Sequence, residues 1–233
     1  MKETAAIFDF DGTLFQGHFW QGLIEYHIIH KKKLPLISTY LGTNLPLWLF
    51  SKFRFLSEET FKTRWGEDLA AFLKGLKKEE GLRIFEWVSN NYFGKLLRPN
   101  IMDLLRYHSE KGHKTVILSG SFSDFLEVIK QKFDVDYIVG TKLEVADNTY
   151  SGRIIKPFCL GINKTKLLNE FICQIQPEID LSLSYAYADS ILDTAVLEMV
   201  GNPVAVYPDK KLSHLAKQRG WKIISSSDSS PGK

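Results

Sequence analysis

The chain opens on a short unbroken apolar run, Ala5-Ala6-Ile7-Phe8, that stops at the polar Asp9-Phe10-Asp11-Gly12-Thr13. Such a run, bounded by turn residues, reads as a buried strand followed by a loop. From about Phe19 to Arg106 the period becomes helical, with aromatic and leucine positions three and four apart and few β-branched runs. Helix starts are signalled at Ser57-Glu58-Glu59-Thr60, which puts acids in the first turn, and near Lys78 to Glu80. Arg98-Pro99-Asn100 opens a further helix that ends at Gly112. The period then changes. Lys114 to Leu118 reads as a strand, Ser119-Gly120-Ser121 as a tight loop, and Asp124 to Lys132 as a helix capped by Ser123. Tyr137-Ile138-Val139 is strand-like, and Asp147-Asn148 between two alternating segments within Leu143 to Ile155 predicts a β-hairpin. Thr165 to Ile175, Asp193 to Val200 and Lys211 to Arg219 are expected helices. Leu181 to Ala188, Val204 to Val206 and Lys222 to Ile224 are expected strands, and Ser225 to Lys233 a frayed polar tail.

Strands alternating with helices imply a parallel sheet covered on both faces. The helical stretch after the first strand is too long for a simple crossover. The reading is therefore an α/β core made of residues 1–14 and 96–233, with a helical insert over 15–95.

Composition changes this picture little. A chain of 233 residues is long enough to bury a core without a disulfide or metal staple. Its 44% hydrophobic and 24% charged residues exclude a disordered or fibrous protein. A net charge of +3 is too small for a nucleic-acid partner. Cys159 and Cys173 form no disulfide framework, no CxxC marks a zinc site, and His27 and His30 have no third ligand. Met1-Lys2-Glu3-Thr4 runs into the first strand with no secretory h-region, so a cytoplasmic location is expected.

One segment departs from the average. Leu34 to Phe50 is strongly apolar and flanked by Lys31-Lys32-Lys33, Lys52 and Arg54. It falls short of the about 20 apolar residues of a spanning helix and contains Asn44, two prolines and a glycine. Three readings stay open: peripheral contact with anionic headgroups, a buried helical piece, or a homodimer face.

The candidate chemistry lies at the expected strand tips, where open parallel sheets bind ligands. Asp9 and Asp11 follow the first strand, Ser119 the second, and Asp189 a later one, with Asp193 just beyond. So many carboxylates in one cleft repel unless a cation neutralises them. Oxygen ligands of this kind, with a substrate phosphate, suit Mg²⁺. Ser119 and the amides of Gly120 and Ser121 can bind phosphate oxygens ahead of a helix. Lys164 can offset charge on a transferring phosphoryl group. A carboxylate is a competent nucleophile toward phosphorus, and a second one can move the protons.

Asp9-Phe10-Asp11-Gly12-Thr13, Leu118-Ser119-Gly120, Lys164 and Asp189-Ser190-Ile191-Leu192-Asp193 resemble, in this order, the four motifs of the haloacid dehalogenase superfamily. The resemblance covers almost the whole chain. The insert between the first two motifs, with Tyr150-Ser151-Gly152-Arg153 and Cys159-Leu160-Gly161, is similar to the phosphoserine-phosphatase-like subgroup. It implies a Rossmann-like core with the insert as a helical cap. It further implies Asp9 as nucleophile, Asp11 as general acid and base, and Ser119, Gly120 and Lys164 as phosphoryl ligands. Mg²⁺ would be held by Asp9, Asp189 and the backbone carbonyl of Asp11, with Asp193 supporting them. Members that displace halide lack the second aspartate, so Asp11 favours a phosphatase.

Two departures bear on the substrate. The last motif begins Ala188-Asp189 in place of Gly-Asp. The glutamate that phosphoserine phosphatases carry nine residues after the nucleophile is His18, a poor partner for a substrate ammonium. Glu25 is the nearest residue that could replace it. The expected activity is hydrolysis of a small-molecule or lipid-like phosphomonoester through an aspartyl-phosphate, without preference for phosphoserine. Two alternatives accompany it: a membrane-surface phosphatase of a phospholipid precursor such as phosphatidylglycerophosphate or lysophosphatidate, and a non-catalytic binding module on the same fold.

Overall fold

The computed structural model describes residues 2–53, 55–175 and 178–225. Arg54 and the tail beyond Ser225 lie outside the described residues, and with them most of the segment expected to fray. The chain runs β1 (Ala5–Phe8), α1 (Phe19–Ile29), α2 (Leu34–Lys52), α3 (Glu58–Leu69), α4 (Lys78–Asn91), α5 (Pro99–Glu110), β2 (Lys114–Phe122), α6 (Ser123–Phe133), β3 (Tyr137–Ala146) and β4 (Thr149–Ile155). It continues through α7 (Ile162–Ile172), β5 (Tyr185–Ala188), α8 (Thr194–Leu197), β6 (Asn202–Val206), α9 (Lys210–Arg219) and β7 (Lys222–Ile224).

The strands form one sheet in the order β4-β3-β2-β1-β5-β6-β7. Every pairing is parallel except β3 with β4. This is the α/β arrangement expected from the alternation of strands and helices. Side chains alternate across β1: Ala6 and Phe8 enter one hydrophobic core, Ala5 and Ile7 the other. With both faces covered, the strand reads as an unbroken apolar run rather than an alternating one. The hairpin turn falls at Asp147 and Asn148, whose φ values of +48° and +59° match a two-residue type I′ connection.

The chain leaves the sheet after Phe15 and returns at Leu97. The two passages pair as an antiparallel bridge, and the Gln16 N–H donates to the Leu96 carbonyl at 2.6 Å. Between them, α1 packs on α4 and α2 on α3, while α4 also rests on α6 of the core. Ser57 caps α3 by accepting the Thr60 N–H.

Several expectations are corrected. Ser119-Gly120-Ser121 stays within β2, whose register against β3 slips between Leu118 and Phe122. The Ser119 hydroxyl accepts the Ser121 N–H at 3.1 Å and holds this irregular stretch. Ser123 is consequently the first residue of α6 and makes no cap bond; Phe122 takes the cap position. α7 begins at Ile162, three residues early, because Gly161 turns at φ +54° and becomes its cap. The last two elements before β6 are shorter than expected, since Leu181 to Ser184 turns ahead of β5 and Ile191–Asp193 forms a 3₁₀ turn before α8. In α2, Ile37, Tyr40 and Asn44 are buried, while most of its other residues are exposed. Among the described residues no helix is long and apolar enough to cross a membrane.

Candidate active site

Asp9 stands one residue past β1, its N–H donating to the Tyr187 carbonyl of β5 at 2.9 Å. The loop then coils on itself, because the Thr13 and Leu14 N–H groups both donate to the Phe10 carbonyl and the Gly12 N–H to that of Phe15. This coil turns Asp9 and Asp11 toward one cleft. Gly12 adopts φ +86°, and a Cβ there would run into the Asp189 carboxylate, so only glycine fits. Thr13 Oγ1 donates to Asp9 Oδ2 at 3.0 Å and fixes that carboxylate.

Lys164, in the first turn of α7, places Nζ 2.6 Å from both Asp9 Oδ1 and Asp193 Oδ1. It is only 3% exposed. Burial pulls this ammonium down, but Asp193 and Asp9 together outweigh that and hold its pKa above the ordinary lysine value. Asp9, Asp189 and Asp193 each bring a carboxylate oxygen to within 4.8 Å of the others. Three carboxylates against one lysine leave a surplus of negative charge. Burial, then Asp9 and Asp193, accordingly push Asp189 up to about 8, and Asp193 is raised as well, chiefly by burial. A cluster of oxygen donors with excess negative charge fits a hard divalent cation. Asp193, expected to stand outside the ligand set, lies inside this cluster.

Asp11 is held apart from it. Its Oδ1 accepts the Phe19 N–H at 2.8 Å and its Oδ2 the Ser121 hydroxyl at 3.1 Å. Burial is the main reason its pKa rises to about 6, with His18 opposing and Asp9 adding to the rise. Two carboxylates two residues apart thus sit in different settings, one against a cation and one under α1.

Ser119, Gly120 and Ser121 share the cleft wall with Asp9 and Lys164. Thr141 Oγ1 donates to the Gly120 carbonyl at 2.9 Å and accepts the Cys159 N–H at 3.1 Å, which ties this wall to the chain entering α7. The cleft is a cavity of about 520 Å³. Its carboxylates, Asp9, Asp11, Asp189 and Asp193, all come from the sheet side. The helical insert contributes Trp20, Leu45, Trp48, Phe61, Trp65 and Leu69, together with His18 and Lys62. His18 is exposed at the start of α1, where its N–H donates to Gln21 Oε1. Glu25 does not line the cavity, so it is not the substitute its sequence position made it. Arg153 stays outside too, paired with Glu144 on the hairpin. Both cysteines are free, Cys159 buried and Cys173 exposed.

Sequence reasoning missed the groups that hold the site from afar. Arg98 Nε donates to the Gly12 carbonyl at 3.2 Å, with its guanidinium 3.8 Å over the Tyr207 ring. Asp209 Oδ2 accepts the Ile191 N–H, and its own N–H donates to the Asp189 carbonyl. Neither stands in a periodic or motif context that would mark it. Thr13 was in view within the first motif, and only its bond to Asp9 was not.

Comparison with known proteins agrees with this geometry. The chain is 26% identical over 230 residues to the phosphoserine phosphatase SerB1 of Mycobacterium tuberculosis, covering 94% of this chain and 70% of that protein. It is equally identical to the histidinol-phosphatase of Neisseria meningitidis serogroup C, covering 94% of this chain and 97% of that one. A crystal structure of a protein with unknown function from Bordetella pertussis shares the fold at 23% identity, with a TM-score of 0.81 over 97% of this chain and 99% of that chain. The family model of haloacid dehalogenase-like hydrolases matches residues 6–198, which take in Asp9, Ser119, Lys164 and Asp193 alike, and the chain belongs to that family as one of its phosphatases.

Proposed function

We propose that the protein is a Mg²⁺-dependent phosphomonoesterase that works through an aspartyl-phosphate on Asp9 and favours a leaving group with apolar surface over phosphoserine. The separation of roles between Asp9 and Asp11 carries the reading. Asp9 accepts from the Lys164 ammonium at 2.6 Å, whereas Asp11 faces His18 with its pKa raised to about 6, chiefly by desolvation. A carboxylate oxygen of Asp9 attacks phosphorus, the bond from phosphorus to the ester oxygen breaks, and Asp11 delivers its proton to the departing oxygen. Asp11 then takes a proton from the water that attacks the phospho-aspartate, which frees Asp9 and inorganic phosphate. Ser119, the Gly120 region and Lys164 orient the phosphoryl oxygens, and Lys164 keeps Asp9 aligned. Asp9, Asp189 and Asp193 would hold a divalent cation, which when bound would offset negative charge on the phosphoryl group.

The leaving group is argued from the insert. Among the described residues no carboxylate from it lines the cavity, while three tryptophans do. A substrate ammonium closed into such a wall would lose its hydration without gaining an anionic partner. Apolar surface on the leaving group would gain from the same wall. Release of phosphate from p-nitrophenyl phosphate tests the reaction. It should need Mg²⁺, stop in EDTA, and label Asp9 during turnover but not in Asp9→Asn. Full turnover in EDTA overturns the metal assignment, and an unlabelled Asp9 overturns the intermediate.

A further inference from the structure

Large apolar side chains are exposed very unevenly over this surface. Ten of the fifteen among the described residues fall between Ile28 and Phe55. Six of them belong to α2: Leu34, Leu41, Leu45, Trp48, Leu49 and Phe50. Leu41, Leu45 and Trp48 follow helical spacing and form a stripe, while Ile37, Tyr40 and Asn44 on another side are buried against the rest of the insert. Phe53 and Phe55, just past the helix, are 69% and 81% exposed. Exposed apolar side chains concentrated in one segment in this way mark a contact site.

Charge narrows the occupant. From Tyr26 to Ser57 the sequence has no Asp or Glu, against Lys31, Lys32, Lys33, Lys52 and Arg54. Three lysines precede the first turn of α2, and Lys52 closes it with its ammonium 4.9 Å over the Trp48 ring. Basic side chains at both ends of an apolar helix, with a tryptophan among them, complement the anionic headgroups of a bilayer surface. At 1.5 Å per residue α2 is about 28 Å long, enough to present the whole stripe in one plane. A second copy fits less well. It would bring like charges together and cover Leu45 and Trp48, which also line the catalytic cavity.

We infer that the exposed face of α2, with Phe53 and Phe55, docks on the surface of an anionic lipid bilayer. Leu45 and Trp48 belong both to that face and to the cavity wall, so docking sets the cavity against the bilayer. If the phosphomonoesterase reading above holds, a leaving group with an alkyl chain passes along those two side chains to Asp9; the docking itself does not depend on that reading.

The test is co-sedimentation of the full chain with vesicles of phosphatidylcholine alone and with about one quarter phosphatidylserine. Two variants accompany the native protein. In one, Leu41, Leu49, Phe50 and Phe53 are each changed to Ser, none of them a cavity residue. In the other, Lys31, Lys32 and Lys52 are each changed to Glu, which leaves the apolar face intact should the first variant fold poorly. The native chain should sediment with the anionic vesicles. Both variants should bind at least about tenfold more weakly while hydrolysing p-nitrophenyl phosphate as before. Several results would overturn the inference: no sedimentation, equal sedimentation of the variants, or equal binding to the neutral vesicles. So would a lipid-free dimer that the serine variant dissociates, because the face would then belong to a second copy. Loss of p-nitrophenyl phosphate turnover with vesicle binding intact would instead count against the phosphatase reading alone.

Discussion

Asp9 and Asp11 owe their different chemistry to their immediate partners. Lys164 and Thr13 both donate to Asp9 and keep its carboxylate in place, while the Phe19 N–H and the Ser121 hydroxyl donate to Asp11 in a half-buried corner. Asp11→Asn should lower turnover of alkyl phosphates by about 10²–10⁴-fold, and of p-nitrophenyl phosphate by less, since its leaving group needs little protonation. Native kcat in Asp11→Asn on an alkyl phosphate would show the acid to be misassigned. A second residue-scale consequence lies away from the site. His108 is buried with Nε2 2.7 Å from the Tyr187 hydroxyl and Nδ1 2.8 Å from His113 Nδ1. Two ring nitrogens facing each other share one proton, and a second would set two N–H groups head to head. Burial and His113 therefore hold His108 down at about 4 against an ordinary 6.5. Because its pKa is lower in the folded state, this contribution to stability is full above about 6.5 and is lost as pH falls toward 4. The loss between about pH 7 and pH 5 should be on the order of 2 kcal/mol. Thermal melts of native protein and His108→Gln at the two pH values isolate it, because the variant should lose that share of the acid sensitivity. Identical pH dependence in both proteins would rule it out.

Among the elements, those with a strong local signal were readable in the sequence. The apolar run of β1, the Asp147-Asn148 turn, the Ser57 cap and the Pro99 start of α5 all appear where the residues put them. The misses have physical causes. Ile162-Asn163-Lys164 carries no apolar period, so the early start of α7 depends on the dihedral angles of Gly161, which no pattern displays. Ser119 to Ser121 looks like a turn by composition, but pairing with β3 keeps it extended. A helix apolar on nearly every side, such as α2, does not announce which side is covered. At the site the motif residues were legible, whereas Arg98 and Asp209 carry only the local mark of a helix start, and nothing in the sequence links them to Gly12 or Asp189. The coil after β1 offers the sharpest test at this scale. Gly12→Ala combines a left-handed φ with a Cβ aimed at Asp189. It should cost about 1–2 kcal/mol in stability and displace the carboxylate. A drop in kcat/KM of at least about tenfold, with weaker apparent Mg²⁺ affinity, is expected. Unchanged kinetics would mean that this close approach has no bearing on catalysis.

For the molecule as a whole, the question is which phosphate ester it takes. The cavity's carboxylates come from the sheet side and its apolar wall from the insert, so under the proposed function the two halves of specificity would come from different parts of the chain. Phosphoserine should be a poor substrate. Leaving a buried charge without its partner costs about 3–5 kcal/mol, or roughly a hundred- to several-thousand-fold in kcat/KM. Steady-state kcat/KM for phosphoserine against sugar, nucleotide and alkyl phosphates measures this directly. Phosphoserine ahead by about tenfold, 1.4 kcal/mol, would mean that an anion in the insert has gone unrecognised.

The side-by-side passages at Phe15–Gly17 and Leu96–Arg98 have a further consequence. Because the outgoing and returning chain are bridged to each other, α1 to α4 are plugged into the sheet at one corner, and a second set of backbone bonds, from Gly75 to Lys78, joins them to the β3–β4 hairpin. An interchangeable part of this kind can be exchanged between family members by recombination without redrawing the strand order. The reaction centre would then be inherited as a constant, and the repertoire of esters would diversify by grafting.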